Sequence, residues 1–323
     1  MSVLATRTVS SPREAYTALR GRDLLSIRDV TREELLGLIM LARDIHREPS
    51  RYAGAMTGRT LATIFEKPSL RTRVSFHVAA LQLGGHAIDL APQEIGLGGR
   101  EAIEDVARTL DRMVNAIMIR TFAHSLVERL AAAASVPIIN GLSDFSHPCQ
   151  ALADYLTMLE VKGRLGGLRL AFVGDGNNVA NSLIFGAALL GVRMTIAAPP
   201  GYEPQPHVLA WARRHEVVKG TACRVASSPD EAVSDADVVY TDTWISMGQE
   251  QDAEARRRAF AGFQVTDALL DRAAPSAVFM HCLPAHRGEE VAPDVIESAR
   301  SVVFTQAENR LHTEKALLCA LLA

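Results

Sequence analysis

The sequence predicts an α/β protein of two parallel-sheet domains linked by long helices. Short apolar runs suited to interior parallel strands recur along the chain, 3.6-residue apolar spacings follow them, and Gly, Pro or Asn turns separate the two. Residues 60–65 form the first such strand, and Pro68 stops it before the helical spacing of Val74, Val78 and Leu81 begins. Gly84 and Gly85 close that helix; a strand at 86–90, a glycine-rich loop through Gly99 and a helix near 100–114 follow. A strand at 116–119 ends at Arg120, a helix covers 125–134 and another strand covers 136–140. The helix opening at Pro148 runs to residue 160, and Lys162-Gly163-Arg164-Leu165-Gly166-Gly167 then marks the clearest composition break, a hinge. Behind it, a strand at 168–173, the turn Gly174-Asp175-Gly176-Asn177-Asn178, a helix at 179–190 and a strand at 192–197 make a Rossmann-like second unit. Strands at 238–240 and 278–280 flank a charged helix near 249–258. The expected organisation is an N-terminal extension over 1–21, a first domain over 22–155 and a second over 156–308, with a closing helix over 309–323 returning to the first.

Composition narrows the function. The chain has 323 residues, of which 48% are hydrophobic and 22% charged, enough apolar content for two cores. A net charge of −3 supports neither a nucleic-acid partner nor an anionic membrane surface. No run approaches the roughly 18 apolar residues of a membrane span. Cys149, Cys223, Cys282 and Cys319 form no C-x-x-C pair, which suits a reducing, cytoplasmic setting without a disulfide framework. Four arginines against one glutamate in the first 22 residues read as a short extension rather than an organelle address.

The first chemical motif follows the strand at 60–65. Ser69 is expected near the N-cap of the next helix, where free N–H groups and the positive dipole end meet two hydroxyls and the guanidinium groups of Arg71 and Arg73. Arginine is unfavourable at a helix N-terminus by the dipole argument, so two there call for an anion with several oxygens. His147 reads as a second N-cap, with Pro148 in the first helical position and Gln150 three residues on, both side chains directed at one small ligand. A helix N-terminus disfavours imidazolium, so His147 suits a neutral hydrogen-bond donor.

The second half carries three further candidates. Gly174-x-Gly176 invites a dinucleotide reading, but Val179 and Ala180 stand where a third glycine belongs and the strand end near Ala197 offers no acidic residue. Asn177 and Asn178 remain ligand candidates at the carboxyl end of a strand. Asp242 opens a loop through Ser246, Met247 and Gly248 that can close over a site and hold an ammonium group. A buried strand at 278–280 delivers His281-Cys282-Leu283-Pro284, where Cys282 is a nucleophile, a proton acceptor or a packing residue. A Cys–His hydrolase and an NAD-dependent dehydrogenase are the readings from other classes, and neither explains the arginine-rich turn; the His and Cys spacings do not make a zinc site.

Residues 65–73, His147-Pro148-Cys149-Gln150, Asp242 with Ser246-Met247-Gly248, His281-Cys282-Leu283-Pro284 and Glu308-Asn309-Arg310 together resemble the carbamoyltransferase family, most closely its ornithine-using members, over residues 22–323. The resemblance implies that Ser69, the Leu70 backbone, Arg71 and Thr72 hold the phosphate of carbamoyl phosphate. Arg120, His147, Gln150 and Arg310 then surround the carbamoyl end, Asn178, Asp242, Ser246 and Met247 hold the amino-acid part of L-ornithine, and Cys282 with Leu283 faces its side-chain amine. Arg120, His147 and Cys282 would be the catalytic groups. It further implies a trimer or a multiple of trimers, no metal and no cofactor, and an active site able to run towards citrulline or back. Leu70 stands where many members have Thr, and His77 stands where an acidic residue is expected to support the arginines. Residues 87–101 contain no lysine, which an aspartate-using enzyme should bring, and Asp242 suits an ammonium group. Putrescine and acylated ornithine each lack one of the groups these residues would bind.

Overall fold

Two parallel sheets organise the chain in a computed structural model, which describes residues 17–220, 223–246 and 248–322. The first sheet comprises β1 (Thr60–Phe65), β2 (His86–Leu90), β3 (Ala116–Arg120) and β4 (Ile138–Leu142) in the order β2-β1-β3-β4. Every pairing is parallel. β3 is buried along its whole length, as expected of a strand covered on both faces, whereas the edge strand β2 is largely open and carries His86 and Asp89. Helices α1 (Arg32–Arg47), α2 (Arg71–Gln82), α3 (Pro92–Ile95), α4 (Ile103–Leu110), α5 (His124–Ala133) and α6 (Pro148–Lys162) surround this sheet. The N-terminal extension is described only from Thr17 onward.

The second sheet comprises β5 (Arg169–Val173), β6 (Arg193–Ala197), β7 (Arg224–Ala226), β8 (Val238–Thr241) and β9 (Val278–His281), ordered β7-β6-β5-β8-β9 and again wholly parallel. The chain reverses direction across the sheet between β5 and β8, so the loops after these strands open a crevice at their carboxyl ends. Helices α7 (Asn178–Leu190), α8 (Pro206–His215), α9 (Pro229–Val233), α10 (Ala253–Ala259), α11 (Asp267–Leu270) and α12 (Pro293–Glu297) accompany it. A long closing helix, α13 (Val303–Leu322), packs on α1, α2 and α6. One apolar cluster runs from Leu35 and Phe76 through Tyr155 and Leu317 to Leu183 and Phe172, joining the two domains.

Several boundaries differ from the sequence expectation, each for a local reason. α4 ends at Leu110 rather than 114 because the Asp111 carboxylate turns away to accept from the backbone N–H groups of Ser135 and Val136. β4 starts at Ile138 rather than 136, since Val136 donates to Asp111 and Pro137 has no N–H. The charged segment near 249–258 divides into a 3₁₀ turn, Glu250–Asp252, and α10. Sequence periodicity missed α1, although Thr31 and Glu34 form a complete capping box at its start. The closing helix begins at Val303, six residues before the expected 309.

α6 crosses α7 where Gly186 faces the Tyr155 ring, and the Tyr155 hydroxyl donates to the Leu183 carbonyl at 2.5 Å. A Cβ at position 186 would overlap that fully buried ring. Gly186→Ala is therefore expected to lower stability by about 1–2 kcal/mol net, overpacking outweighing the better helix propensity of alanine. A lowered denaturation midpoint checks this; an unchanged or raised one refutes it.

Candidate active site

Ser69 caps α2, as expected: Leu70, just ahead of the helix, already has helical dihedrals and makes no side-chain cap, while Ser69 Oγ accepts from Thr72 N at 3.3 Å. The two arginines diverge, as residues two apart on a helix must. Arg71 turns into the cleft, close enough to Arg310 and Asp242 to feel their charges and near the Cys282 thiol. Arg73 turns towards β2, where it pairs with Asp89 and lies over the Phe65 ring at 4.3 Å. Asp89 thus supplies the acidic support that His77 does not. His77 Nε2 instead lies 3.1 Å from Thr63 Oγ1, which donates to Asp89 Oδ1 at 3.0 Å, so His77 holds the same network through a hydroxyl.

β3 delivers Arg120 to the cleft floor, and α6 brings His147 there as its N-cap with Pro148 at the first position. The His147 backbone N–H donates to Ser182 Oγ of α7 at 2.8 Å, fixing the cap across the domain boundary. Burial, reinforced by the charges of Arg310 and Arg71, holds Arg120 down to about 10. Burial first, and then Arg310, Arg120 and Arg71, push His147 well below the usual imidazole range, so its ring is neutral at physiological pH. Arg120 Nε and His147 Nδ1 are both buried without a partner. Three guanidinium groups thus lie within electrostatic reach of one neutral imidazole.

Arg310 enters the cleft from α13. Its Nε and Nη2 donate to Glu314 Oε1 at 3.1 and 2.5 Å, Nη2 also donates to Thr72 Oγ1 at 3.1 Å, and Nη1 donates to Gln150 Oε1 at 2.9 Å. Gln150 Nε2 donates to Asp154 Oδ1 at 2.8 Å, and Asp154 also accepts from Gln306 at 2.7 Å and Tyr240 at 3.2 Å. Gln150 stands beside Arg310: its Oε1 accepts from Arg310 and one amide N–H donates to Asp154, which leaves one N–H and one lone pair for a ligand.

The second domain supplies an acidic counterpart. Asp242, at the end of β8, accepts from Thr243 N at 2.8 Å, from Asn177 Nδ2 at 2.8 Å and from Cys282 Sγ at 2.9 Å. Asn177 caps α7 through its other amide atom, and Asn178 donates to the Ser143 carbonyl of the first domain at 2.5 Å. Ser246 follows on the Asp242 loop, its N–H held by Gln249 at 3.1 Å; Met247 lies outside the described residues. Arg256 anchors that loop by donating to Asp175 at 2.7 Å and to the Trp244 carbonyl at 2.9 Å. Gly248 (φ +94) sits against the Phe122 ring, over which Lys67 lies at 4.2 Å, so the loop reaches the first domain. Leu283 holds a left-handed backbone (φ +58) and donates its N–H to His281 Nδ1 at 2.8 Å, an unusual conformation of the kind that clusters at ligand sites.

These contacts dispose of the two readings from other classes. Burial and the neighbouring Asp242 push the Cys282 thiol well above its ordinary range, which disfavours the thiolate that a hydrolase needs. His281 cannot activate it: Nδ1 accepts from Leu283, which puts the ring proton on Nε2, 3.2 Å from Glu290. At the Gly174-x-Gly176 turn, residues 202–204 close over the backbone; Gly176 N donates to the Tyr202 carbonyl at 2.8 Å, and a Cβ there would overlap Pro204. The glycine is needed for that approach, not for a pyrophosphate.

Glu314, Asp154, Gln306 and Asp89 were missed by sequence reasoning. Glu314 and Asp154 left a signal, their spacing four residues after Arg310 and Gln150 respectively, each pair on one helix.

Comparison with known proteins matches both halves. Residues 22–160 match the family model described as “Aspartate/ornithine carbamoyltransferase, carbamoyl-P binding domain”, and residues 166–321 match “Aspartate/ornithine carbamoyltransferase, Asp/Orn binding domain”. The chain is 53% identical over 303 residues to an ornithine carbamoyltransferase of Thermococcus kodakarensis, covering 93% of this chain and 96% of that one. It is 47% identical over 306 residues to one of Bacillus subtilis, covering 95% of each. The solved ornithine carbamoyltransferase of Pyrococcus furiosus superposes with a TM-score of 0.91 at 51% identity, over 94% of this chain and 98% of that chain.

Proposed function

The chain belongs to the aspartate/ornithine carbamoyltransferase family, and from that premise we propose that it moves the carbamoyl group of carbamoyl phosphate onto the side-chain amine of L-ornithine, giving L-citrulline and phosphate. The observation that carries this reading is the convergence of Arg71, Arg120 and Arg310 on the neutral His147, with Asp242 across the cleft. Mutually repelling guanidinium groups in a desolvated site are stabilised by a multiply charged anion, and a carboxylate beyond them by an ammonium.

Ser69, the Leu70 N–H, Arg71 and Thr72 bind the phosphate; Arg120 and Arg310 neutralise charge that grows on the departing oxygen and the carbonyl. His147 donates to the carbonyl oxygen from an uncharged ring, with Gln150 setting Arg310 and adding its spare N–H. Asn178, Asp242, Ser246 and Met247 hold the amino-acid end of ornithine, and Cys282, as a thiol hydrogen-bonded to Asp242, packs with Leu283 beside the attacking amine. The nitrogen of the neutral amine bonds to the carbamoyl carbon, the carbon–oxygen bond to phosphate breaks, and the proton the amine gives up leaves with the phosphate as hydrogen phosphate. Carbamoyl phosphate is already activated, so orientation and charge stabilisation suffice.

The deciding assay measures phosphate release with carbamoyl phosphate against ornithine, putrescine, N-acetylornithine and aspartate. Ornithine alone should support rapid turnover; preference for another acceptor would overturn the reading. With unsaturating ornithine the rate should rise from neutral to alkaline pH, because the reacting amine, with a pKa near about 10.4, is largely protonated below it. His147, held far below its ordinary value, should add no titration step in this range. A flat profile between about pH 7 and 9 contradicts this account.

We further propose a homotrimer in the cytoplasm. Leu70, Val74 and Leu81 form one exposed stripe on α2, 71%, 52% and 70% open, with Ile88 exposed on the edge strand β2. The stripe begins at the phosphate turn, so a neighbouring chain would adjoin the site there. Light scattering should report three chains per particle; a fully active monomer would sink this assembly. The four free cysteines suit a reducing compartment.

A further inference from the structure

A second cluster, outside the cleft, lies where α1, α6 and α13 meet. His46 occupies the last turn of α1, and Glu308 and His312 lie one turn apart on α13. One ligand atom from each is within 4.8 Å of the others; Glu308 Oε1 stands 3.9 Å from His46 Nε2 and 3.7 Å from His312 Nε2. The two imidazoles are stacked, with centroids 3.9 Å apart and planes 13° from parallel. His312 is only 8% exposed, yet both of its ring nitrogens are buried without a hydrogen-bond partner. Buried polar atoms are seldom left so, and a donor nitrogen aimed at a carboxylate and a second imidazole is suited to a cation.

The surroundings orient the group. His46 Nδ1 lies 3.4 Å from Glu160 Oε1, and the other Glu160 oxygen accepts from Asn309 Nδ2 at 2.8 Å. With its proton on Nδ1, directed at a fixed carboxylate, His46 presents an unprotonated Nε2 to Glu308 and His312; this is the arrangement that backs metal-bound imidazoles. Lys315 opposes a cation from the same groove of about 430 Å³, but Glu308 and Glu160 together outweigh it.

We propose that His46 and His312, each through Nε2, and Glu308 through its carboxylate bind one divalent transition-metal cation of the zinc class, with Glu160 orienting His46. Two imidazoles and one carboxylate select such an ion over magnesium or calcium, and leave a fourth position to water. Bonds of about 2.0–2.1 Å would draw the ligand atoms to about 3.3 Å apart. The stack must splay for this, and His46, with a side chain 39% exposed, is the ring free to turn. The ion would staple α1 to α13.

Titration of tag-free, metal-stripped, full-length protein with Co²⁺ tests the site. One equivalent should bind with visible d–d bands that lack a sulfur charge-transfer band, and the thermal midpoint should rise with Co²⁺ concentration. His46→Gln and Glu308→Gln should each abolish the bands and the thermal gain. His46→Gln should keep the wild-type midpoint in metal-free buffer and the wild-type turnover. Absence of binding to wild type, retention of it in His46→Gln, or a sulfur band lost only in Cys282→Ser would each overturn the proposal.

Discussion

Arg310→Ala is expected to unfold more readily than wild type by about 3–5 kcal/mol, because the substitution strands a buried carboxylate rather than removing a surface charge. Arg310 and Glu314 are 2% and 0% exposed, and three of the arginine nitrogens are committed to Glu314, Thr72 and Gln150. Burial already pushes Glu314 up to about 7 with the guanidinium beside it, and losing that cation pushes it higher. A carboxyl whose folded pKa lies above its unfolded value binds its proton more tightly in the folded chain. Stability therefore falls as pH rises from the unfolded value through the folded one. In wild type this window runs from 4.5 to about 7; in Arg310→Ala it extends further upward, so the deficit against wild type should be larger at pH 8 than at pH 6. Arg310→Ala/Glu314→Gln separates the two roles of the arginine. The double variant should recover much of the stability and lose the excess pH dependence. Its kcat/KM for carbamoyl phosphate should stay about 10- to 100-fold low, the worth of a hydrogen bond to a charged group. Recovery of both would leave Arg310 a purely structural residue.

The features legible in the sequence are those made by neighbours in the chain. The turn at 69–73, the His147-Pro148 cap and the strand that delivers Cys282 follow from capping, proline geometry and apolar spacing, which act over about four residues. The α/β class followed from the same signals, but the capping box at Thr31 went unread because no strand announced α1. The rest comes from topology. Asp89 reaches Arg73 because β2 pairs beside β1, and Cys282 reaches Asp242 because β9 lies beside β8. No local rule contains either contact. Gln150 is a related case: its position predicts where its side chain points and its i,i+4 contact with Asp154, while its bond to Arg310 depends on where α13 docks.

Asp242→Ala should separate the two substrates. The variant removes the carboxylate that we assign to the ornithine ammonium, and kcat/KM for ornithine should fall by about 10²–10³-fold, corresponding to about 3–4 kcal/mol for a desolvated charge left unpaired. Carbamoyl phosphate should respond in the opposite sense. Asp242 opposes the positive field at Arg71 and Arg120, so its loss leaves those arginines more attractive to phosphate, and the KM for carbamoyl phosphate should hold or decrease. The thiol gives an independent readout. Asp242 is, after burial, the main reason that Cys282 stays protonated, and Arg71 pulls the other way. Without the carboxylate the thiol pKa should drop and iodoacetamide should alkylate Cys282 faster than in wild type. Equal damage to both substrates would mean that Asp242 only braces Asn177, Thr243 and Cys282, and its assignment to ornithine would fall.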